Sequence, residues 1–270
     1  MAAKTATAKK SGVKLDLATA AGLVVGLGGI LGGLVLEGGS VREIAAPTAL
    51  LIVLGGTLGA VMVSTPFHLL RGAMKSLTGV FFEKSQSPEA MIAQIVDYSA
   101  MARKNGIVSL EQVADDAPDP FLQKALTLAV DGTDLQELRK MMELEILMEE
   151  HHAEAEAKIF EGAGGYAPTI GIIGAVLGLI QVMKDLADIE KVGHGIATAF
   201  VATIYGVGFA NLLFLPAAGK IKARAREKTQ MRELILEGVI GIVEGSNPKL
   251  IRSKLEAYTG RQPAKKKGAR

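Results

Sequence analysis

Residues able to do chemistry are sparse in this chain, and their spacing excludes most reactions. No glycine-rich run ends in Gly-Lys-Ser/Thr, so no P-loop is present to cradle a phosphate. His151 and His152 stand side by side in "EEHHAEAE". Neighbours on a helix point about 100° apart, which suits a solvated acidic face and not a metal site. The four histidines are too scattered to argue a Ser/His/Asp group, and the absence of cysteine removes disulfides and thiolate ligands. The chain therefore reads as a non-enzyme with neither metal nor cofactor. The polar groups that remain are mild and set among apolar residues: Thr19, Thr57, Gln181, His194, Thr203, Tyr205 and Asn211. Proteins that move protons or cations keep an ionisable group on the path. Either this chain moves no ions, or a partner helix brings the titrating group.

The elements that must carry these residues are membrane spans. Hydrophobic residues make up 49% of the 270 and charged ones 21%, with a mean hydropathy of +0.31. Four stretches lack Asp, Glu, Lys and Arg altogether: Leu17 to Leu36, Ile44 to Leu70, Gly162 to Met183 and Val192 to Gly219. Each reaches the roughly 20 residues that cross a bilayer. The first is too long for a signal-peptide core and has no convincing cleavage site, so it is read as a retained helix. The turns "EGGSVREIAAP" and "KDLADIEKVGHG" make two hairpins. Lys4, Lys9, Lys10 and Lys14 precede span one, and Lys220, Lys222, Arg224, Arg226 and Lys228 follow span four, whereas the turns hold few cations. The positive-inside rule then places both termini and the middle segment in the cytoplasm.

The expected organisation is an all-α membrane protein of the bacterial inner membrane. Residues 1–16 form a cytoplasmic N-terminus and 17–66 the first transmembrane hairpin. A helical cytoplasmic loop follows over 67–161, then the second hairpin over 162–216 and a cytoplasmic helix with a basic tail over 217–270. Within the loop, "SPEAMIAQIVDYSAMARKNG" has a Ser87-Pro88 start and a Gly106 stop. The acidic helix former "DLQELRKMMELEILMEEHHAEAEAKIFEGAGG" runs directly into span three, and "KIKARAREKTQMRELILEGVIGIVEG" continues span four. "GRQPAKKKGAR" reads as a disordered tail.

Small residues line the second hairpin. Pro168, Gly171, Ala175 and Gly178 share one helical face, with Gly174 at its edge, and Ala199, Thr203, Gly206 and Ala210 do the same in span four. Such stripes let a second helix approach closely in lipid. They can serve the hairpin itself or be the surface offered to a partner helix, and the second reading is the expectation here. Pro168 and Pro216 each lack an N–H and loosen the helix locally; both are expected near the cytoplasmic surface, at one depth.

The sequence "APTIGIIGAVLGLIQVM … ATAFVATIYGVGFANLLFLPAAGKIKARAREK", with "MARKNGIVSLE" in the loop, resembles the MotA family of flagellar motor stator subunits. More distantly it resembles the TolQ/ExbB energisers. The MotA resemblance implies a ring, a pentamer, around the spans of two MotB-like chains. Each of these partners has one span with an ion-binding aspartate and a peptidoglycan-binding domain. It also implies that Pro168 and Pro216 couple ion transfer to movement and that Thr203 lies beside the ion path. Ala175 stands where sodium-driven relatives tend to have threonine, which favours protons as the coupling ion. Arg103 and Glu111 match the charged pair that engages the rotor switch protein. Gly171, Gly174, Gly178 and Gly206 are assigned to helix packing. Two alternatives stand beside a stator. One is a TolQ/ExbB-type energiser of an envelope process, although those relatives have three spans. The other is a membrane scaffold that conducts nothing.

Overall fold

The computed structural model describes residues 14–83, 87–184 and 186–259. The basic N-terminal stretch and the tail read as disordered lie outside them. Among the described residues the chain is helical apart from a two-residue antiparallel pairing of β1 (Lys14–Leu15) with β2 (Phe82–Glu83). Helices α1 (Leu17–Leu36) and α2 (Pro47–Ser64) are joined through a 3₁₀ turn, Val41–Ile44. Helix α3 (Phe67–Phe81) follows, then α4 (Pro88–Asn105), a 3₁₀ turn (Ile107–Leu110), α5 (Glu111–Asp115) and α6 (Pro120–Val130). Helix α7 runs unbroken from Leu135 to Lys184, and α8 is Ile189–Phe209. A π turn at Ala210–Phe214 leads into α9 (Leu215–Val243), and α10 is Pro248–Ala257. Four rods are long and apolar enough to cross a membrane: α1, α2, α7 and the continuous Ile189–Val243.

Local chemistry explains the boundaries. Asp16 caps α1 by accepting from the Thr19 N–H at 3.1 Å, and Ser87 caps α4 ahead of Pro88. Helix α4 stops at Gly106, whose φ of +84° a side chain would resist. Asp119 and Asn247 cap α6 and α10 in the same way, each followed by a proline. Helix α3 is amphipathic: Ala73 and Val80 are buried on one side, while Phe67 and Met74 are exposed on the other.

The chain forms two compact units. One comprises the described residues of 87–152 and 224–259, and its core holds Ile95, Leu122, Leu126, Leu138, Met142, Ile235 and Leu255 with no exposed surface. Each such side chain contributes about 1.5–3 kcal/mol by leaving water. The acidic face of α7 meets basic residues of α9 here: Arg232 reaches Glu145 and Glu149, and Lys228 also reaches Glu149. The Arg232 guanidinium lies 4.8 Å over the Phe121 ring. The other unit, residues 13–83 and 153–223, contains the apolar spans. Its core is small in side-chain volume, built on Ala157, Ala163, Ala167, Ala210, Ala217 and Ala218, with Phe160 and Phe214 as bulk.

Candidate functional site

The centre of the membrane unit is the contact between α7 and α8, and glycine determines how close the helices come. A methyl group at Gly206 would lie 2.5 Å from the Ala167 carbonyl oxygen and 3.1 Å from the Gly171 Cα. At Gly171 it would lie 2.9 Å from the Ala202 carbonyl oxygen, and at Gly178 it would meet Ala199 backbone at 3.1 Å. At Gly174 it would meet the Ala202 methyl at 2.9 Å. Backbone rests on backbone along this seam, so the attraction comes from many short contacts in place of large side chains. All four glycines assigned to packing therefore belong to the α7–α8 seam. This corrects the reading of the small stripe as the surface offered to a partner helix: the chain uses Gly171, Gly174, Gly178 and Gly206 on itself.

Helix α2 closes one edge of the seam. Ile52 lies against Gly174, Ile170 lies against Gly56, and Ala49 and Val53 pack with Val201 and Ala202. Tyr205 ties the same edge down. Its hydroxyl donates to the Ile44 carbonyl and accepts the Ala46 N–H at 3.3 Å. Helical phase puts Pro168 and Ala175, seven residues apart, at the other edge of α7. Thr203 falls on the matching flank of α8, its Cα close to Gly171. All three are half-buried, whereas Ile172, Val176 and Ile180 beyond them are exposed, as are Phe200 and Ile204 on α8. The structure thus brings Pro168, Ala175 and Thr203 to one edge and leaves that edge without a covering helix of this chain among the described residues.

The two prolines differ in setting. Pro168 sits inside α7 with its Cα 3.2 Å from a methyl placed on Gly206, so the loosened turn is braced across the seam. Pro216 is exposed and follows the π turn, in which the Leu215 N–H reaches back to the Ala210 carbonyl. Having no N–H, Pro216 leaves a carbonyl of the preceding turn without its helical donor, and the wider turn absorbs the mismatch. The Asn211 side chain helps by donating to the Val207 carbonyl at 2.9 Å. The expectation of one common depth is corrected as well. Leu215 lies beside Gly164, a full turn before Pro168, so Pro216 stands at least about 6 Å beyond it along the pair.

Arg103, in the last turn of α4, and Glu111, at the start of α5, are both exposed on either side of Gly106. Neither makes an ion pair among the described residues.

Two features escaped the sequence reading. Asp16, only 6% exposed, sits at the foot of α1 and pairs with Lys220 at 2.5 Å, while its own N–H donates to the Phe81 carbonyl at 2.8 Å. Its signal was an acid at an N-cap position, outside the uncharged run and therefore passed over. The π turn had only Pro216 as its signal.

The comparisons with known proteins agree with this architecture. Residues 113–234 match the MotA/TolQ/ExbB proton channel family, and residues 20–106 match the Motility protein A N-terminal family. The chain is 34% identical to Motility protein A of Bacillus subtilis, over 90% of this chain and 91% of that protein. It is 35% identical to chemotaxis protein PomA of Vibrio alginolyticus, over 90% and 95% respectively. Among solved structures it is similar to C. jejuni MotAB, with a TM-score of 0.86 at 32% identity, covering 90% of this chain and 96% of that one. The flagellar MotAB stator complex from Bacillus subtilis gives a TM-score of 0.83 at 34% identity, covering 88% and 94%. With four membrane rods, a glycine seam and an uncovered edge carrying Pro168, Ala175 and Thr203, the chain belongs to the MotA/TolQ/ExbB proton channel family.

Proposed function

We propose that the chain is a stator subunit of the bacterial flagellar motor, which forms with a MotB-like partner a proton channel coupling ion flow to rotor torque. The observation that carries this reading is the uncovered edge of the α7–α8 seam. It is lined by small or mild residues, and the four uncharged runs hold no Asp, Glu, Lys or Arg, so a proton path along it needs a carboxylate from outside the chain. The partner's span, carrying an aspartate, lies against Pro168, Ala175 and Thr203. Several copies surround it as a ring, a pentamer, with both termini in the cytoplasm. The exposed apolar residues of α7 and α8 serve contacts between copies and with the partner.

In this mechanism a proton reaching the partner's aspartate removes its charge and changes how closely the partner helix can lie on the edge. A neutral carboxylic acid tolerates apolar contact that a carboxylate does not. Thr203 offers a hydroxyl that can donate to the charged form or accept from the protonated one. The glycine seam moves α7 and α8 as one body, because its backbone contacts leave no slack. Arg103 and Glu111 then present the step to the rotor. Ala175 leaves the path without the extra hydroxyl that would help to coordinate sodium, which favours protons.

The test is genetic and direct. Deleting the chain from a strain with no other stator set abolishes swimming, and the wild-type chain with its partner restores it. Thr203→Val assembles with the partner but fails to restore speed. Normal swimming of the deletion strain would overturn the proposal.

A further inference from the structure

The membrane unit contains a half-open crevice of about 380 Å³ beneath the π turn. Gly22 and Leu23 of α1, Leu77 and Phe81 of α3, Leu213 of the π turn and Pro216 just beyond it form its walls. We propose that this crevice holds one acyl chain of a membrane phospholipid, whose phosphate accepts hydrogen bonds from Lys220 at the polar end.

Away from Lys220 the crevice is a poor place for water, because the two other polar side chains on its walls each already hold a hydrogen bond. The Asn211 amide donates to Val207, and the Thr19 hydroxyl reaches the Val80 carbonyl at 3.5 Å. A buried water needs two to four polar partners, which the apolar part of the walls, Leu23, Leu77, Phe81 and Leu213, does not supply. The crevice is continuous with the outer surface of α1, a 20-residue uncharged helix with no buried residue at all. A helix of that length and composition faces hydrocarbon along its flank. Hydrocarbon is thus already at the mouth, and an acyl chain enters without losing an apolar environment. Charge completes the match. The Lys220 amine is bonded to Asp16, but an ammonium has three N–H donors and this side chain is 31% exposed, so donors remain for a phosphate oxygen. The chain would lie against Pro216 and Leu213, supporting the turn that the proline has loosened. The inference needs only the membrane setting and does not rest on the stator reading.

The test uses the full chain purified with its partner from native membranes, washed free of bulk lipid in mild detergent and weighed intact by native mass spectrometry. Phospholipid is expected to stay bound to the wild type and to be lost in Gly22→Phe, since Gly22 has open space beyond it for a ring to fill the crevice. Gly29→Phe on the same helix also has open space, lies outside the crevice walls and should keep the lipid. In vesicles of phosphatidylglycerol doped with a diazirine-tailed phospholipid, the label should fall on peptides containing Leu23 and Leu213 of the wild type. That measurement needs no variant, so it decides the matter if Gly22→Phe fails to assemble. Absence of retained phospholipid on the wild type, equal retention by Gly22→Phe, or cross-linking of Gly22→Cys to a second copy would overturn the proposal.

Discussion

Replacing Gly206 with alanine tests the seam at its tightest point. The added methyl would sit 2.5 Å from the Ala167 carbonyl oxygen and within 3.2 Å of two backbone carbons across the seam, where ordinary contact begins near 3.4 Å. None of these atoms can rotate away, and no side-chain change at Ala167 relieves a clash with its carbonyl. The helices must therefore separate by roughly 0.5–1 Å, which forfeits a quarter to a half of each dispersion contact along the seam. Overpacking of this kind costs about 1–3 kcal/mol. Alanine also gains about 1 kcal/mol of helix propensity over glycine, so the comparison needs a control carrying the same gain. Gly208, two residues on, supplies it, because a methyl there meets nothing within 4 Å. Purified complexes are heated and the assembled fraction is followed by size-exclusion chromatography. Gly206→Ala should dissociate at lower temperature than wild type, and Gly208→Ala at the same temperature or higher. Equal behaviour of the two variants would refute the claim that backbone contact across α7 and α8 sets the stability of the hairpin.

Three further outcomes follow from other parts of the structure. Lys220→Ala and Asp16→Asn each break the pair at the foot of α1 and should each lower the melting temperature, with the double variant losing less than the sum of the two by about 0.5–3 kcal/mol; thermal melts of the three variants measure that coupling, and strict additivity would count against the pair. Burial, reinforced by the nearby charges of Glu237 and Glu233 against the opposing Arg139, raises the Tyr258 phenol above its ordinary 10.0. The folded state then holds this proton more tightly than the unfolded state, so its stabilising effect is complete below pH 10 and is lost as pH rises through the raised value; denaturant melts at alkaline pH should show a decline that Tyr258→Phe lessens. Arg103→Glu and Glu111→Lys should leave melting within about 0.5 kcal/mol of wild type, as exposed substitutions do, while lowering swimming speed; a matching loss of folded protein on immunoblots would count against a rotor-facing role.

Hydropathy made the four spans legible because uncharged runs of that length have few other uses. The Ser87 cap and the Gly106 stop gave both ends of α4 correctly. Periodicity put Gly171, Gly178 and Gly206 on faces, but a face says nothing about which neighbour occupies it, and the neighbour proved to be within the chain. Asp16 was invisible for a related reason: its partner Lys220 lies 204 residues away in sequence, and only the packing of α1 beside the end of the last span brings the two together. Two of the boundaries between the compact units fall inside helices, at residues 152 and 223, where no glycine, proline or linker composition marks them. The edge carrying Pro168, Ala175 and Thr203 needed α2 in place before it could be told from the covered one.

The π turn at Ala210–Phe214 has a consequence for tolerated chain length. A π turn is an α-helix holding one surplus residue, so deleting a single residue between Ala210 and Phe214 would close it into regular helix and leave both flanks with their present faces. The same deletion between Ile189 and Phe209 turns everything beyond it by about 100°, carrying Lys222 away from Glu161 and Lys228 away from Glu149. The rod therefore has one place where it can shorten without being rewound, immediately before Pro216.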